Sequence, residues 1–395
     1  MLSRLARIDP LGALICAFGV AALLWLPFVV FKPNRILPGD PHSLLQALPP
    51  AAALGCLLSL VLIALVALGA LGPAAAWARL VAALMGLIVL ATAVASACNL
   101  LTPVGNKVVR VAAGSGFWVL LLALGLLATD AITRLRPRPI ARVLMLALFI
   151  AITGLALAHG VFDNLSVMRE YAVNSDRFAH EARRHVALAL GSLLAAVIVA
   201  LPLGILCHRI PRLRAGILGV LNVVQTIPAI ALYGILMAPL GALAAAVPLA
   251  ARLGVRGIGA APAVLALFLY SLLPVVANTV TGLARVSPAA VEAARGMGMT
   301  RWQILTGVEF VLSLPTILTG IRIVLVQNIG LVTVAALIGG GGFGVFVFQG
   351  IGQTAIDLVL LGAIPTVALA FSAAVLLDAL VETLERSGNH DPTTN

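Results

Sequence analysis

The sequence predicts an all-α, polytopic transmembrane bundle of about ten spanning helices, and three observations carry that prediction. Of 395 residues, 62% are hydrophobic and only 10% charged, with a mean hydropathy of +1.14. A soluble domain carries about 25% charged residues, so lipid must be the main solvent of this chain. Ten segments, near 11–31, 51–72, 76–98, 112–132, 143–162, 186–207, 215–240, 260–283, 314–338 and 355–384, approach the length that a spanning helix needs. None alternates with period two between regular turns, which disfavours an outer-membrane barrel. Backbone satisfaction in lipid then leaves helices.

The N-terminus has Arg4 and Arg7 followed by an apolar run from Leu11 to Phe31, too long for a signal-peptide core and read as a retained first helix. With that terminus inside, fourteen Lys and Arg residues fall on the cytoplasmic side and ten, including Lys107, Arg177, Arg183, Arg184, Arg252 and Arg256, on the other. Arg322 falls within a span and joins neither side. The tight cluster Arg134–Arg142 is the cleaner signal, and it places both termini in the cytoplasm. The formal net charge of +11 forms no single patch, so the basic residues read as orientation signals and not as a nucleic-acid surface.

Asp163 to His185 is the most polar stretch, read as an amphipathic extracytoplasmic connector or the polar start of the next helix. The chain is thereby divided into accessory membrane helices over 1–165, a connector over 166–185, a working core over 186–386 and a cytoplasmic tail over 387–395. Five spans precede the connector and are poor in polar residues. Five follow it, richer in Gly, Pro, Asn, Gln and Thr. Cys16, Cys56, Cys98 and Cys207 lie in apolar runs and read as small core residues, without metal or disulfide spacing.

No catalytic constellation, metal site or cofactor is expected. His159, His180, His185, His208 and His390 are scattered and read as surface or interface residues. Asp130, Asp357, Asp378 and Glu382 fall near helix ends, where capping or snorkelling accounts for them. No Gly-rich loop runs into Lys-Ser or Lys-Thr, so the chain has no P-loop of its own.

The informative segment is 284–315, ARVSPAAVEAARGMGMTRWQILTGVEFVLSLP. It is too polar to span and lies between two good spans on the cytoplasmic side. Ser287 is placed as N-cap with Pro288 at the first helical position, Gly296 and Gly298 interrupt the helix, and Thr300 to Leu305 starts a second short one. Two helical pieces hinged at glycine make a rigid knob, and Ala293, Ala294 and Gly298 are small enough for another protein's backbone to come close.

Glu292-Ala293-Ala294 followed by Gly298 resembles the EAA signature of bacterial ABC-importer permeases, the loop that docks on the ATPase subunit. The run EAARGMGMT resembles the osmoprotectant branch (glycine betaine, carnitine, choline), as do NVVQTIPAIALYG at 222–234, LFLYSLLPVVANTVTGL at 267–283 and AALIGGGGFGVFVFQGI at 335–351. These blocks cover most of 186–386 in order. One departure stands: the family's closing Leu-Pro falls on Phe310-Val311, and this chain has Leu314-Pro315 instead. GSGFW at 114–118 resembles the longer betaine-type permeases with extra N-terminal helices.

The resemblance implies an ABC importer permease core in the second half. Its docking loop lies at 284–310, with Glu292, Ala293, Ala294, Arg295, Gly296, Gly298, Thr300 and Arg301 facing the ATPase. It implies a cytoplasmic ATPase dimer, a second permease copy as a homodimer, an extracytoplasmic substrate-binding protein, and a place in the bacterial inner membrane. Polarity within apolar spans proposes a pathway of Asn222, Gln225, Thr226, Tyr233, Tyr270, Asn278, Gln327 and Asn328, with Ser271 and Thr279 beside them. Helix–helix hydrogen bonding is the competing reading for these residues. The rival functions are an ABC permease for another solute such as an amino acid, an ion-coupled secondary transporter, and a non-transporting membrane scaffold.

Overall fold

The computed structural model describes residues 9–388 apart from 36, 70–72, 104 and 107. Arg4, Arg7, Lys107, His390 and residues 389–395 of the tail lie outside the described residues. Nine helices among the described residues are long and apolar enough to cross a membrane. The chain divides into two units: residues up to Arg138 with Leu148–Val173, and Pro139–Ala147 with residues from Asn174 onward.

The first unit opens with α1 (Pro10–Trp25), β1 (Val29–Lys32), β2 (Asp40–His42) and α2 (Leu44–Ala47). It continues with α3 (Pro50–Leu68), α4 (Pro73–Leu101), β3 (Arg110–Ala113), α5 (Ser115–Leu135) and the later part of α6 (Pro139–Ala158). The expected span over 11–31 is corrected here. α1 has 16 residues, about 24 Å at 1.5 Å per residue, short of a ~30 Å hydrocarbon core. Pro27 is the cause: the residue before a proline is pushed out of the helical region, and Leu26 is extended at φ −111°, ψ 143°.

The apolar run then becomes a strand. β1 pairs antiparallel with both β2 and β3, Val29 lying between His42 and Ala113. This small sheet is the departure from pure helix that composition did not announce. It also gives GSGFW a physical reason. The Gly114 and Gly116 N–H groups donate to the Phe28 and Pro27 carbonyls, both at 2.8 Å. A Cβ on Gly114 would sit 2.2 Å from the Pro27 oxygen. Phe117 packs edge-on against Phe28 with centroids 6.1 Å apart.

The other end of this unit is held by four charges. Arg79, 1% exposed, donates to Asp9 Oδ2 at 2.6 Å, to Asp130 Oδ2 at 3.1 Å and to the Gly69 carbonyl at 3.0 Å. Arg134 reaches the same two carboxylates at 2.9 and 2.8 Å. Two cations and two anions cancel, so a group that lipid would otherwise expel is tolerated. Burial by itself would raise the Asp9 carboxyl. The hydrogen bond from Arg79 and the charges of Arg134 and Arg79 bring it below its ordinary value. Asp130, read from sequence as a helix-end residue, is a member of this network.

The second unit takes the first part of α6 and, from its kink at Asn174 onward, α7 (Ser166–Arg209). It continues with α8 (Pro211–Thr226), α9 (Ala229–Ala246), α10 (Pro248–Arg252) and α11 (Ala260–Ala284). α12 (Pro288–Gly296), α13 (Arg301–Ile304), a π-turn at Leu305–Glu309 and α14 (Phe310–Ala335) follow. α15 (Gly344–Gly352) and α16 (Ile356–Gly388) close the unit. Two expectations change. Residues 166–185 are helical apart from Asn174, where two helices meet at a kink, and those after it are the polar start of the next helix, the second of the two readings the sequence offered. The span over 215–240 is two helices, because Pro228 holds Ile227 extended between them. Ala196, Ala200 and Cys207 of α7, Val275 and Val276 of α11 and Val324 of α14 form a buried apolar core. Cys56 and Cys98 are likewise buried and Cys16 partly so, none of them in a disulfide.

Arg79→Leu is expected to destabilise the protein by about 3–5 kcal/mol, because Asp9 and Asp130 would then share Arg134 alone. Thermal unfolding in detergent checks it, and Arg79→Leu combined with Asp130→Leu should recover part of the loss. The lowered Asp9 value also fixes a sign. Its contribution is present above the ordinary carboxylate value of 3.8 and is lost as pH falls through the lower folded value.

Candidate functional site

The knob forms as its residues dictate. α12 starts at Pro288 with Ser287 at the N-cap, although the serine hydroxyl makes no capping bond. The helix ends in a Schellman turn: Met299 N–H donates to the Ala294 carbonyl and Gly298 N–H to that of Arg295, at 3.1 and 2.9 Å. Gly298 supplies the left-handed residue this needs, at φ +81°. Thr300 then opens α13 with a capping box, its N–H donating to Gln303 Oε1 at 2.8 Å. The π-turn follows without a break, so Arg301–Ile338 runs on as one 38-residue helical segment. With Val311 where the resemblance implies proline, an N–H is kept at that position, and α14 follows the turn without a gap.

Glu292, Ala293, Arg295, Gly296, Gly298, Thr300 and Arg301 are exposed. Ala294 is corrected: at 1% exposure it packs inward and offers nothing to a partner. Gly298 takes the left-handed conformation at φ +81° with open space where a Cβ would stand. Sequence reasoning missed two neighbours. Met297 is 75% and Trp302 71% exposed, two large apolar side chains on a segment too polar to span. The signal was present in GMGMTRW, where apolar residues flank the glycine hinge. At the base of the knob, His208, Leu283, Val286, Glu292, Arg295 and Glu309 line a cleft of about 250 Å³. Glu309 is buried in the π-turn and ion-paired to Arg209 at the end of α7.

The proposed pathway residues separate into two groups. Asn328 is fully buried, its Nδ2 donating to Ser192 at 3.1 Å and to Ser271 at 3.0 Å, which ties α7, α11 and α14 together. The Tyr233 hydroxyl donates to the Leu331 carbonyl at 3.1 Å. Tyr270 donates to the Ile227 carbonyl, and Gln225 Nε2 to the Tyr270 carbonyl at 2.7 Å, so α11 holds the break between α8 and α9. Thr279 is buried on its own helix's Val275 carbonyl. For Tyr233, Tyr270 and Asn328 the helix–helix reading is the better one. Asn222 and Thr226 lie exposed on α8, while Asn278 and Gln327 are half-buried; Asn278 donates to the Pro274 carbonyl at 2.8 Å.

Two further polar clusters complete the second unit. Asp378 and Glu382, one turn apart on α16, are not simply snorkelling: Arg142 binds both, at 2.7 Å for Asp378, and Arg322 binds Asp378. Arg322, the cation inside a span, is thereby neutralised. At the far end of α14 the glycine run is clamped by α7. Gly342 N–H donates to Glu181 at 2.6 Å, Phe343 N–H to His185 Nδ1 at 3.2 Å, and Arg184 to the Gly339 carbonyl at 3.1 Å. With Nδ1 accepting, His185 Nε2 is the donor to the Ile329 carbonyl at 3.0 Å. His185 is buried inside the unit and is not a surface residue.

Gly298→Asn is expected to keep the Schellman turn, because asparagine tolerates the left-handed region. Gly298→Val is expected to strain it by roughly 1–2 kcal/mol. Tryptic cleavage after Arg295 and Arg301 should then quicken about tenfold or more for the valine variant and stay near wild type for asparagine.

Residues 192–387 match the binding-protein-dependent transport system inner membrane component, and residues 9–168 the N-terminal domain of ABC transporter permease YehY. The osmoprotectant import permease protein OsmW of Salmonella typhimurium is 42% identical over 200 residues, 51% of this chain and 85% of that one. The carnitine transport permease protein OpuCD of Listeria monocytogenes is 37% identical over 215 residues, 54% of this chain and 89% of that one. The glycine betaine/carnitine/choline transport system permease protein OpuCD of Bacillus subtilis is 38% identical over 218, with 55% and 86% covered. An inward-facing structure of the MetNI methionine ABC transporter aligns with a TM-score of 0.46 at 19% identity, covering 52% of this chain and 95% of that one. On the identity and coverage of these relatives, with the helical fold that carries them, the chain belongs to the inner-membrane permease components of binding-protein-dependent transport systems.

Proposed function

We propose that this chain is the membrane-spanning permease of an ATP-driven importer for a small osmoprotectant, of the glycine betaine, choline or carnitine class. The substrate class rests on the relatives, each of which carries such a solute in its description. The single observation that carries the mechanism is the knob: exposed Met297, Trp302, Glu292 and Arg301 sit at the head of one continuous 38-residue helical segment. At 1.5 Å per residue that segment is roughly 57 Å long, enough to cross the bilayer and project from it.

ATP is bound and hydrolysed in a separate cytoplasmic ATPase dimer. Its closure moves the knob, and the helix carries the displacement to the glycine turn at the opposite end. The Glu309–Arg209 ion pair makes α7 follow. A second copy of the permease completes the pathway, and Asn222, Gln225, Thr226, Asn278 and Gln327 are the polar groups left to line it. Residues 186–386 form the working core, residues 1–165 are accessory, and both termini lie in the cytoplasm, with α1 and the strand after it making the tenth crossing. Aromatic residues are only 5% of the chain, too few for an obvious cage around a quaternary ammonium, so high-affinity selection belongs to the extracytoplasmic binding protein. An ion-coupled mechanism is less well supported, because Asp378 and Glu382 are each already paired with arginine.

Trp302→Ala is expected to lower ATPase co-purification at least about tenfold, the scale of an exposed aromatic anchor of 1.4 kcal/mol or more, with membrane insertion unchanged. Wild-type recovery of the ATPase would remove the knob from the coupling role. Uptake by proteoliposomes of the whole complex, with betaine, choline, carnitine and amino acids in competition, decides the substrate class. Uptake of amino acids alone would overturn the osmoprotectant reading.

A further inference from the structure

The cleft of about 250 Å³ at the base of the knob carries both signs of charge in its wall. Glu292 and Arg295 lie one turn apart on α12, and both are exposed. Neither forms an ion pair among the described residues. Glu309, the other carboxylate in the wall, is buried and already taken by Arg209. Leu283 at the end of α11, Val286 after it and Val291 on α12 give the cleft an apolar side. His208, half-buried near the end of α7, completes it. Met297 and Trp302, the exposed apolar pair of the knob, lie outside this wall.

An unpaired carboxylate, an unpaired guanidinium and an apolar side in one concavity suit a ligand that carries the complement of all three. The guanidinium of Arg295 matches a carboxylate as a planar fork. A quaternary ammonium has no N–H to donate, so it needs a nearby negative charge and apolar contact for its methyl groups. Glu292 supplies the first, and Val286 with Val291 the second. A simple anion or cation would gain from one of the two charges and be repelled by the other. The cleft is smaller than the roughly 300–1,000 Å³ of a drug-sized pocket, which fits a solute of few atoms. Glycine betaine and carnitine are zwitterions of this kind, whereas choline has the ammonium and no carboxylate. Solvent-exposed charges without an aromatic cage make a weak site, with a dissociation constant of about 1 mM or above.

We propose that this cleft is a cytoplasmic binding site for the zwitterionic osmoprotectant itself, and that its occupancy slows transport once the solute has accumulated inside. This rests on the permease reading above, with the knob on the ATPase side. A solute seated there touches α12 of the knob together with the ends of α7 and α11 and the π-turn, through His208, Leu283 and Glu309. It therefore binds the arrangement seen here better than one in which the knob has moved from its base. A ligand with that preference shifts the population towards the arrangement it binds.

The test uses the complete complex of permease, ATPase and binding protein in lipid nanodiscs, where both faces meet added solute. ATP hydrolysis is measured with the binding protein saturating and already loaded, while glycine betaine, carnitine or choline chloride is titrated. Sodium chloride at equal concentration controls for ionic strength. Each rate is read against the same variant's rate without added solute. Glycine betaine and carnitine are expected to lower hydrolysis about fivefold or more, and choline chloride and sodium chloride to leave it near its starting value. Arg295→Gln should raise the half-inhibitory concentration about tenfold or more, and Arg295→Lys should restore most of the effect because the charge is kept. Val286→Met, which narrows the cleft and keeps both charges, should also relieve inhibition, with the uninhibited rate and ATPase co-purification unchanged. Hydrolysis indifferent to glycine betaine overturns the proposal. So does equal inhibition by choline, or inhibition that survives unaltered in both Arg295→Gln and Val286→Met. Loss of ATPase co-purification in Val286→Met would assign the cleft to a side chain of the ATPase and overturn it too. A wild-type complex that no loaded binding protein stimulates would instead overturn the permease reading itself.

Discussion

The pairing of α7 with α14 is the interaction on which the second unit depends, and it is polar at each end and in the middle. Arg209 meets Glu309 beside the knob, Asn328 joins Ser192 within the helix pair, and Glu181 and His185 hold the glycine turn at the far end. In hydrocarbon each of these groups would be costly without its partner. Apolar packing between helices is non-directional, so Ala196, Ala200, Val275 and Val324 by themselves would allow the helices to slide. The hydrogen bonds fix the register. α14 and α7 are thereby held in one register along their length.

The same constraint governs the first unit. Its helices are nearly featureless apolar cylinders, and two devices at their ends give them unique positions. One is the neutral quartet of Arg79, Asp9, Asp130 and Arg134. The other is the sheet in which β1 lies between β2 and β3. α1 is too short to span alone, and the strand that follows it satisfies its backbone by pairing, as any non-helical segment near lipid must. Gly114 and Gly116 let that strand's lead-in lie directly on the start of α5.

Much of the knob was legible in advance because its signals are local. Pro288 opens a helix, Gly298 ends it, and Thr300 with Gln303 opens the next, each through bonds spanning a few residues. Prolines were legible too, but their consequence was underrated: Pro27 and Pro228 each end a helix where an apolar run continues. The pathway was the weakest part of the reading. An asparagine in a span looks the same in sequence whether it lines water or binds a serine on another helix, and only the placement of Ser192 and Ser271 assigns Asn328 to the second role.

Composition alone determined that this chain lives in lipid as helices, since 10% charge cannot cover a water-facing surface and lipid tolerates no unpaired backbone. Local order along the chain determined the knob and most of the spans. Tertiary structure decided which charges cancel: Arg322 finds Asp378 from 56 residues away and Arg79 finds Asp9 from 70. It also decided that the helical stretch after Asn174 clamps a distant glycine turn through Glu181 and His185. Those outcomes depend on contacts between residues far apart in sequence, which no local pattern of hydropathy or spacing encodes.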